Sequence, residues 1–421
     1  RLEKSKYADK VLFCGSARRM QETIGDADIL ITSKNAKEVM DLFIKMPEVG
    51  RVVAKGETKS VVKLNNGLEV DLRVVAPKSF GAAAQYFTGD KNHNVELRKI
   101  AIDKGYKLNE YGLYKIKKSN LKNQNYNSKI KNKEEYVAGE SEEGIYKALD
   151  MDFIPPELRT LNGEIEAAQN HKLPKLVDYG DLKGDLQIQT NWTDGENTIE
   201  EMAEAAMKIG LEYILITDHT KSLAMTGGSD EKKLEKQMAE IDKINKRSKF
   251  QDTGFKILKG AEVNILKDGS LDIDDKTLAK LDVVGVAVHS LFNLPKAEQT
   301  KRIIKAMENP NVYILFHPTG RIINKRPAYE VDMEEIIKAA KRTGTVLEID
   351  AFADRLDLKD EHIRMAIEAG IKLSIDSDAH HTDHFKYLEI GIAQARRAWA
   401  TREDIINTQP LDKMLGFLKN N

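Results

Sequence analysis

Two stretches decide how this chain folds: Gly15-Ser16-Ala17-Arg18-Arg19 running on through Glu22-Thr23-Ile24-Gly25-Asp26-Ala27-Asp28, and Glu69-Val70-Asp71-Leu72-Arg73. Asp26 and Asp28 sit in an apolar run, Ile24 to Ile31, that reads as a strand. Side chains two apart on a strand share a face, so both carboxylates point the same way. Asp71 lies in a second alternating run, Leu68 to Val75, with polar residues at 69, 71 and 73. Asn66-Gly67 is a hairpin-turn signal joining that run to Ser60–Leu64. Three carboxylates brought together would repel one another unless cations sat between them. An all-oxygen donor set suits Mg²⁺, which keeps water and substrate phosphates in its shell. Two such ions activate an attacking oxygen and stabilise a leaving one in an in-line displacement. An Asp-x-Asp pair alone is a weak signal. Upstream, however, Gly15-Ser16 closes the apolar stretch Val11 to Cys14 and precedes Ala17 to Thr23, a segment expected to be helical. Backbone N–H groups at such a turn receive phosphate, and Arg18 or Arg19 would neutralise it.

The chain has 421 residues, enough for two or three domains. It is 41% hydrophobic and 32% charged, ordinary for a chain able to bury a sizeable core. Its one cysteine, Cys14, excludes an intramolecular disulfide and fits a reducing compartment. There is no bilayer-length apolar run and no signal peptide, so a cytoplasmic protein with no membrane partner is expected. A net charge of −1 is not the footprint of a strong nucleic-acid binder. Local lysine clusters do occur, at Lys115-Ile116-Lys117-Lys118 and Lys129-Ile130-Lys131-Asn132-Lys133; they read as phosphate contacts or as solvated loops. Nothing in the sequence bears on oligomeric state.

The first stretch resembles the palm signature of X-family DNA polymerases, within the nucleotidyltransferase superfamily. Tyr86-Phe87-Thr88-Gly89 resembles that family's nucleotide-pocket motif, and His93-Asn94 through Arg98 the segment behind it. The resemblance implies that Asp26 and Asp28 bind two Mg²⁺ ions and that Asp71 binds the one that lowers the pKa of the primer 3′-hydroxyl. It implies that Gly15, Ser16 and Arg19 hold the outer phosphates of a dNTP, that Tyr86, Phe87 and Gly89 meet the sugar, that Asn94 meets the base edge and Arg98 the template side. An aromatic pair followed by glycine fits close packing on a sugar. Family members carry an amino-terminal helical part with helix-hairpin-helix elements, which nothing here matches; a carboxy-terminal portion is expected. Residues 1–100 read as the palm, 101–160 as a small thumb ending at Ile154-Pro155-Pro156-Glu157-Leu158-Arg159, 161–179 as a linker with a short helix, and 180–421 as a separate domain.

That last domain alternates strand and helix patterns. Strands are expected at Asp185–Thr190, Tyr213–Thr217, Lys256–Gly260, Val283–Val288, Val312–Phe316, Thr345–Ile349 and Lys372–Ile375. Helices are expected at Thr198–Ile209, Glu231–Arg247, Ala297–Met307, Met333–Arg342 and Glu361–Ala369. Seven strands in such a rhythm predict a parallel barrel with its chemistry at the strand carboxy ends. Metal-type residues recur there: Asp218-His219, Glu262, His289, His317 and Asp378-Ala379-His380. A lone histidine after a strand is usually packing; several at successive strand ends point to a metal centre. His381 and His384 are expected to lie outside it, and His171 and His362 have no functional case.

The domain resembles the polymerase-and-histidinol-phosphatase (PHP) domain fused to X-family polymerases, a distorted (β/α)7 barrel. The resemblance rests on Gly184-Asp185-Leu186, Trp192-Thr193-Asp194-Gly195, Thr217-Asp218-His219, Gly260-Ala261-Glu262, Val286-Ala287-Val288-His289, His317-Pro318-Thr319-Gly320-Arg321 and Ser377-Asp378-Ala379-His380. It implies a three-metal centre for 3′–5′ exonuclease or related phosphoester hydrolysis, with Mn²⁺ or Zn²⁺ held by Asp194, His219, Glu262, His289, His317, Asp378 and His380. One departure stands out. Where the family has a His-x-His pair on the first strand, this chain has Gln187 and Gln189. An amide oxygen is a far weaker ligand for these ions than imidazole nitrogen. One position should therefore be empty or loosely filled, and nuclease activity weak. The leading expectation is a template-directed DNA polymerase filling short gaps in repair, base excision repair included. The alternatives are a phosphoesterase whose barrel does the main chemistry, and a barrel that is only a structural module. A non-templated nucleotidyltransferase also fits the palm carboxylates, but Asn94 and Arg98 favour template use.

Overall fold

A computed structural model of the chain describes residues 1–116 and 134–420. The cluster Lys129–Lys133, and half of Lys115–Lys118, lie outside the described residues. The chain divides into two compact units, Arg1–Pro174 and Lys175–Asn421. Among the described residues no helix is long and apolar enough to cross a membrane.

The first unit is built on a mixed sheet of β1 (Lys10–Phe13), β2 (Asp26–Thr32), β3 (Val49–Lys55), β4 (Lys59–Leu64) and β5 (Glu69–Val75), in the order β1-β2-β5-β4-β3. β2 and β5 run parallel at its centre, and the remaining pairs are antiparallel. Ile31, Val62, Val70, Leu72 and Val74 alternate inward and pack with Val39, Met40 and Phe43 of α2 (Ala36–Ile44). Before β2 lies a single helical turn, α1 (Gly15–Arg18). The expected helix over Ala17 to Thr23 does not form. Met20 adopts φ 52°, and the Gln21 amide turns back to the Ser16 carbonyl at 3.1 Å, which ends the helix.

Helices α3 (Phe80–Thr88) and α4 (Lys91–Asp103) follow, then a small sheet of β6 (Tyr106–Asn109), β7 (Gly112–Ile116) and β8 (Glu134–Ala138), α5 (Glu142–Ala148) and α6 (Glu164–Gln169). Asp90 caps α4 through the His93 amide at 2.8 Å, and Ser141 caps α5 through that of Gly144 at 3.1 Å. α6, the short helix expected in a linker, is part of the first unit. Its Glu164 carboxylate meets the buried His93 ring at 2.7 Å and accepts from the Leu161 and Asn162 amides.

The second unit is a sheet of seven parallel strands: β9 (Gly184–Ile188), β10 (Tyr213–Ile216), β11 (Lys256–Asn264), β12 (Val283–Ala287), β13 (Ile314–Leu315), β14 (Val346–Asp350) and β15 (Leu373–Asp376). Its two edges meet through an Ile188–Ala379 bridge and a 2.9 Å bond from the Gln189 amide to the Ala379 carbonyl, giving a distorted (β/α)7 barrel. β11 is longer than its sequence pattern suggested because its first half pairs with β10 and its second with β12. Helices α7 (Ile199–Lys208), α8 (Glu231–Asn245), α9 (Ser248–Thr253), α10 (Asp275–Leu278), α11 (Lys296–Met307), α12 (Met333–Thr343), α13 (Asp360–Glu368) and α14 (Leu388–Arg397) accompany the strands. α7 starts with a Thr198–Glu201 capping box and buries Ile199, Met202, Ala203 and Ala206, the spacing of one helical face. A last helix, α15 (Leu411–Lys419), packs Met414 and Leu418 with Tyr213, Val283 and Val346, the first residues of their strands, and so covers the amino end of the barrel.

Gly285 on β12 shows how tight the interior is. A Cβ there would lie 1.9 Å from the Phe316 ring. Gly285→Ala should cost about 1–3 kcal/mol of barrel stability, read by chemical denaturation; unchanged stability would show that the ring has room to move.

Candidate functional site

In the first unit the parallel β2–β5 register makes Asp28 and Asp71 direct partners, and Asp26 precedes Asp28 by two residues on the same face. Asp26 is exposed, and Asp28 and Asp71 are half-buried. Burial first, then the Asp26 and Asp71 charges, push the Asp28 carboxyl above the usual aspartate range. Two cations sit at the rim. Lys59 Nζ lies 2.8 Å from Asp71 Oδ2 and Arg73 Nε 3.8 Å from Asp71 Oδ1. Asp71 Oδ1 is buried and has no hydrogen-bond donor. Crowded acidic oxygens, one of them orphaned, are a donor set that fits hard divalent cations.

The Gly15 turn is pressed against this face. Gly15 has φ 62°, and a Cβ on it would lie 2.3 Å from Asp28 Oδ2. Only glycine satisfies both conditions. Ser16 follows, half-buried. Arg19 Nη1 donates to the Thr88 carbonyl, and Arg18 Nη1 donates to Thr88 Oγ1 at 2.7 Å. The motif Tyr86-Phe87-Thr88-Gly89 is thereby joined to the Gly15 turn. Tyr86 and Phe87 meet edge to face at 5.1 Å; the Arg73 guanidinium lies 4.4 Å from the Phe87 ring centre and that of Arg98 5.8 Å from the Tyr86 ring centre. Asn94 is 8% exposed and hydrogen-bonded within the unit. Its Nδ2 donates to the Tyr86 carbonyl and its Oδ1 accepts from Gln85, both at 2.7 Å. Arg98 Nε donates to the Asn94 carbonyl at 3.1 Å.

Sequence reasoning missed the ion network behind these residues. Glu142 accepts from Arg18 Nη2 and, at 2.6 Å, from Arg159 Nη1. Arg159 is fully buried between the Tyr146 and Phe153 rings, at 5.6 and 5.5 Å. Burial opposes the Glu142 charge, but the two arginines outweigh it and hold the carboxyl below its usual range. The sequence traces of this network are Arg159, within the Pro-Pro-Glu-Leu-Arg segment, and Arg18, expected at phosphate but paired here with Glu142.

In the barrel, the strand-end residues converge on Glu262 of β11, which is fully buried. Glu262 Oε1 lies 2.9 Å from His289 Nε2 and 2.8 Å from His317 Nε2. His219 Nδ1 is 3.5 Å from Glu262 Oε2, and its Nε2 is 3.6 Å from Asp194 Oδ2. His380 Nε2 is 3.8 Å from that same Asp194 oxygen. Among the described residues two clusters have the spacing of a metal site: Asp194, His219 and His380, and His219, Glu262 and His289. Outer bonds aim the rings. His289 Nδ1 meets Asn264 Oδ1 at 2.8 Å and His380 Nδ1 the Asp378 carbonyl at 2.7 Å, which frees both Nε2 atoms as ligands. Asp218, buried, accepts from Thr190, Thr193 and Gln237 and so clamps the loop that carries Asp194. Asp378 pairs instead with Arg355, whose Nε is 3.4 Å away and 3.3 Å from Asp350.

Gln187 and Gln189 face the other oxygen of Glu262. Their Nε2 groups donate to Glu262 Oε2 at 3.2 and 2.8 Å, and both amide oxygens are buried without a donor. On this side Glu262 meets amide N–H groups, which have no lone pair to offer a cation. The Asp194 and His289 sides offer carboxylate and imidazole lone pairs. His381 and His384 lie just beyond, with His384 Nδ1 accepting from the His380 amide at 3.2 Å.

Residues 83–160 match the family description "DNA polymerase beta thumb". The chain is 32% identical over 233 residues to a "Probable phosphatase" of Thermoanaerobacter sp. (strain X514), an alignment covering 53% of this chain and 88% of that protein. A solved structure of Leishmania infantum polymerase beta in a ternary P/T complex matches with 28% identity and a TM-score of 0.29, covering 36% of this chain and 67% of that one. Across 409 residues, 97% of this chain and 68% of the relative's length, it is 37% identical to the DNA polymerase/3′-5′ exonuclease PolX of Bacillus subtilis. At that identity and over that span, the chain belongs to the PolX family of X-family DNA polymerases.

Proposed function

We propose that the first unit is a template-directed DNA polymerase that adds dNTPs to a primer 3′-hydroxyl in gapped DNA, acting in cytoplasmic repair. The observation that carries this reading is the register pair Asp28–Asp71 with Asp26 on the same face. Asp26, Asp28 and Asp71 would hold two Mg²⁺ ions, which when bound acidify the attacking hydroxyl and neutralise charge on the phosphates. Gly15 lets the backbone approach the triphosphate, and Ser16 and Arg19 bind its outer oxygens. Tyr86, Phe87 and Gly89 form the floor for the sugar. Asn94 and Arg98 take the base and template side, with Asn94 also holding the Tyr86 carbonyl in place.

For the barrel we propose two divalent cations, Mn²⁺ or Zn²⁺, on Asp194, His219 and His380 and on Glu262, His289 and His317, with Asp378 an outer partner. The Gln187 and Gln189 amides occupy the remaining side of Glu262, so phosphoester hydrolysis is weak. A purely structural barrel is the second reading, favoured by the same pair of hydrogen bonds.

Primer extension on a one-nucleotide gap with each template base tests the first reading. Incorporation should follow the template, and Asp28→Ala or Asp71→Ala should lower it by about 10²-fold or more; incorporation indifferent to template would remove the repair-polymerase reading. Nuclease assays with Mn²⁺ test the second. Activity should be low, rise when histidine is restored at 187 and 189, and vanish in His380→Ala. Robust unrestored activity would overturn the account of the glutamines.

The Asp28 shift sets a pH dependence. With its folded-state pKa raised, the native unit binds more protons than the unfolded chain above the ordinary aspartate range, so stability falls as pH rises through the raised value. The metal-free protein should therefore lose more stability than Asp28→Asn between acid and neutral pH, and Mg²⁺ should restore it. Parallel melting profiles of the two proteins would contradict this.

A further inference from the structure

Residues past the thumb reach back to the helix that carries Asn94 and Arg98. α6 begins at Glu164, beyond residue 160, where the thumb match ends. The Glu164 carboxylate and the His93 ring of α4 are both fully buried. His93 Nδ1 lies 2.7 Å from Glu164 Oε1, and His93 Nε2 lies 3.1 Å from the Tyr146 hydroxyl of α5. Glu164 Oε1 also accepts from the Leu161 amide at 3.0 Å, and Oε2 accepts from the Asn162 amide at 2.7 Å. The chain turns tightly around this carboxylate, with Leu161 at φ 55°. A left-handed leucine persists only where its surroundings fix it. Burial lowers the His93 pKa and outweighs the pull of Glu164, so the ring is neutral, donates from Nδ1 and accepts from Tyr146 at Nε2. Both ring nitrogens and both carboxylate oxygens thus have partners.

We propose that Glu164 and His93 are positioning residues for template reading: they pin the first turn of α4, and with it Asn94 and Arg98, in the orientation that selects the incoming base. The inference rests on the reading of the first unit as a polymerase and adds a specificity-determining element outside the palm and thumb. Burying a carboxylate costs free energy that its partners do little more than offset, so this pair is a poor source of stability. What it supplies is direction, because a fully satisfied buried network admits one arrangement. The same turn of α4 is tied twice more. Asp90 Oδ1 accepts from the His93 amide at 2.8 Å, and the Asp90 amide donates to the Arg159 carbonyl at 3.2 Å. From there Asn94 Nδ2 holds the Tyr86 carbonyl, and Arg98 Nε holds the Asn94 carbonyl. The contacts therefore run from α6 to the sugar floor and the template side. Asp26, Asp28 and Asp71 stand on β2 and β5, outside this chain of contacts. Base selection and dNTP binding should depend on the pair, and the chemical step should not.

The test uses the full chain, its Glu164→Ala and His93→Phe variants and the double variant, on a one-nucleotide gap with the correct and the three incorrect dNTPs. Each single variant should raise KM for the correct dNTP and the misinsertion ratio by about tenfold, the scale of one lost buried hydrogen bond to a charged group, with kcat for the correct dNTP within about twofold of wild type. The double variant should do no more than either single one, because the two residues act as one brace. Hydrogen exchange supplies a second readout that needs no activity: the α4 amides should exchange faster in both variants, while those of β2 and β5 keep their protection. If Glu164→Ala does not fold, His93→Phe, which keeps a ring in place, carries both measurements. A fall in kcat with discrimination intact, additive losses in the double variant, or unchanged α4 exchange would overturn the brace alone. Template-blind incorporation by the unmodified chain would overturn the polymerase reading, and the exchange pattern of α4 would still report on the brace.

Discussion

Like-charge repulsion among Asp26, Asp28 and Asp71 is the constraint on which the first unit is built. The side chains share one face because β2 and β5 are parallel and in register. That register is held from the opposite face, where Ile31, Val70, Leu72 and Val74 pack on α2. A slip of one residue would bury the carboxylates and expose the apolar set, so burial of the core and convergence of the acids are one choice. Lys59 and Arg73 offset part of the repulsion from the rim, and the Gly15 turn is pressed so closely on Asp28 that no side chain could stand there.

The barrel meets a related problem with a different chemistry. Glu262 is fully buried, and a buried carboxylate must be paired or hydrogen-bonded. Oε1 faces the His289 and His317 imidazole nitrogens, and Oε2 accepts from the two glutamine amides, with His219 Nδ1 3.5 Å away. Imidazole nitrogens have a lone pair to share with a cation, whereas amide N–H groups have none. The two sides of one carboxylate are thus unlike, and that asymmetry follows from Gln187 of β9 and Gln189 just beyond its end, which both reach the same oxygen.

Much of this was legible from residue order. The Asp-x-Asp spacing, the Asn66-Gly67 turn and the alternation through Val75 marked strands whose partners the structure pairs. In the barrel all seven expected strands form, β13 shortened to Ile314–Leu315 at the centre of its run from Val312 to Phe316. Two features escaped. The helix expected after Ser16 is only one turn, because Met20 takes a left-handed conformation that no propensity predicts. The Glu142–Arg18–Arg159 network ties Arg18 to a glutamate 124 positions away, and ordinary Glu and Arg residues give no sign of burial in advance.

Sequence alone determined which side chains share a face and which strand ends carry ligand-type residues, because backbone periodicity acts over two to four positions and is written locally. Only the tertiary structure decided what those side chains meet. Asn94 holds the Tyr86 carbonyl, Asp378 is held by Arg355, Lys59 reaches Asp71, and the glutamine amides turn their N–H groups to Glu262. These pairings depend on how distant strands and loops pack, and on the need of each buried charge for a partner, and neither is encoded in spacing along the chain.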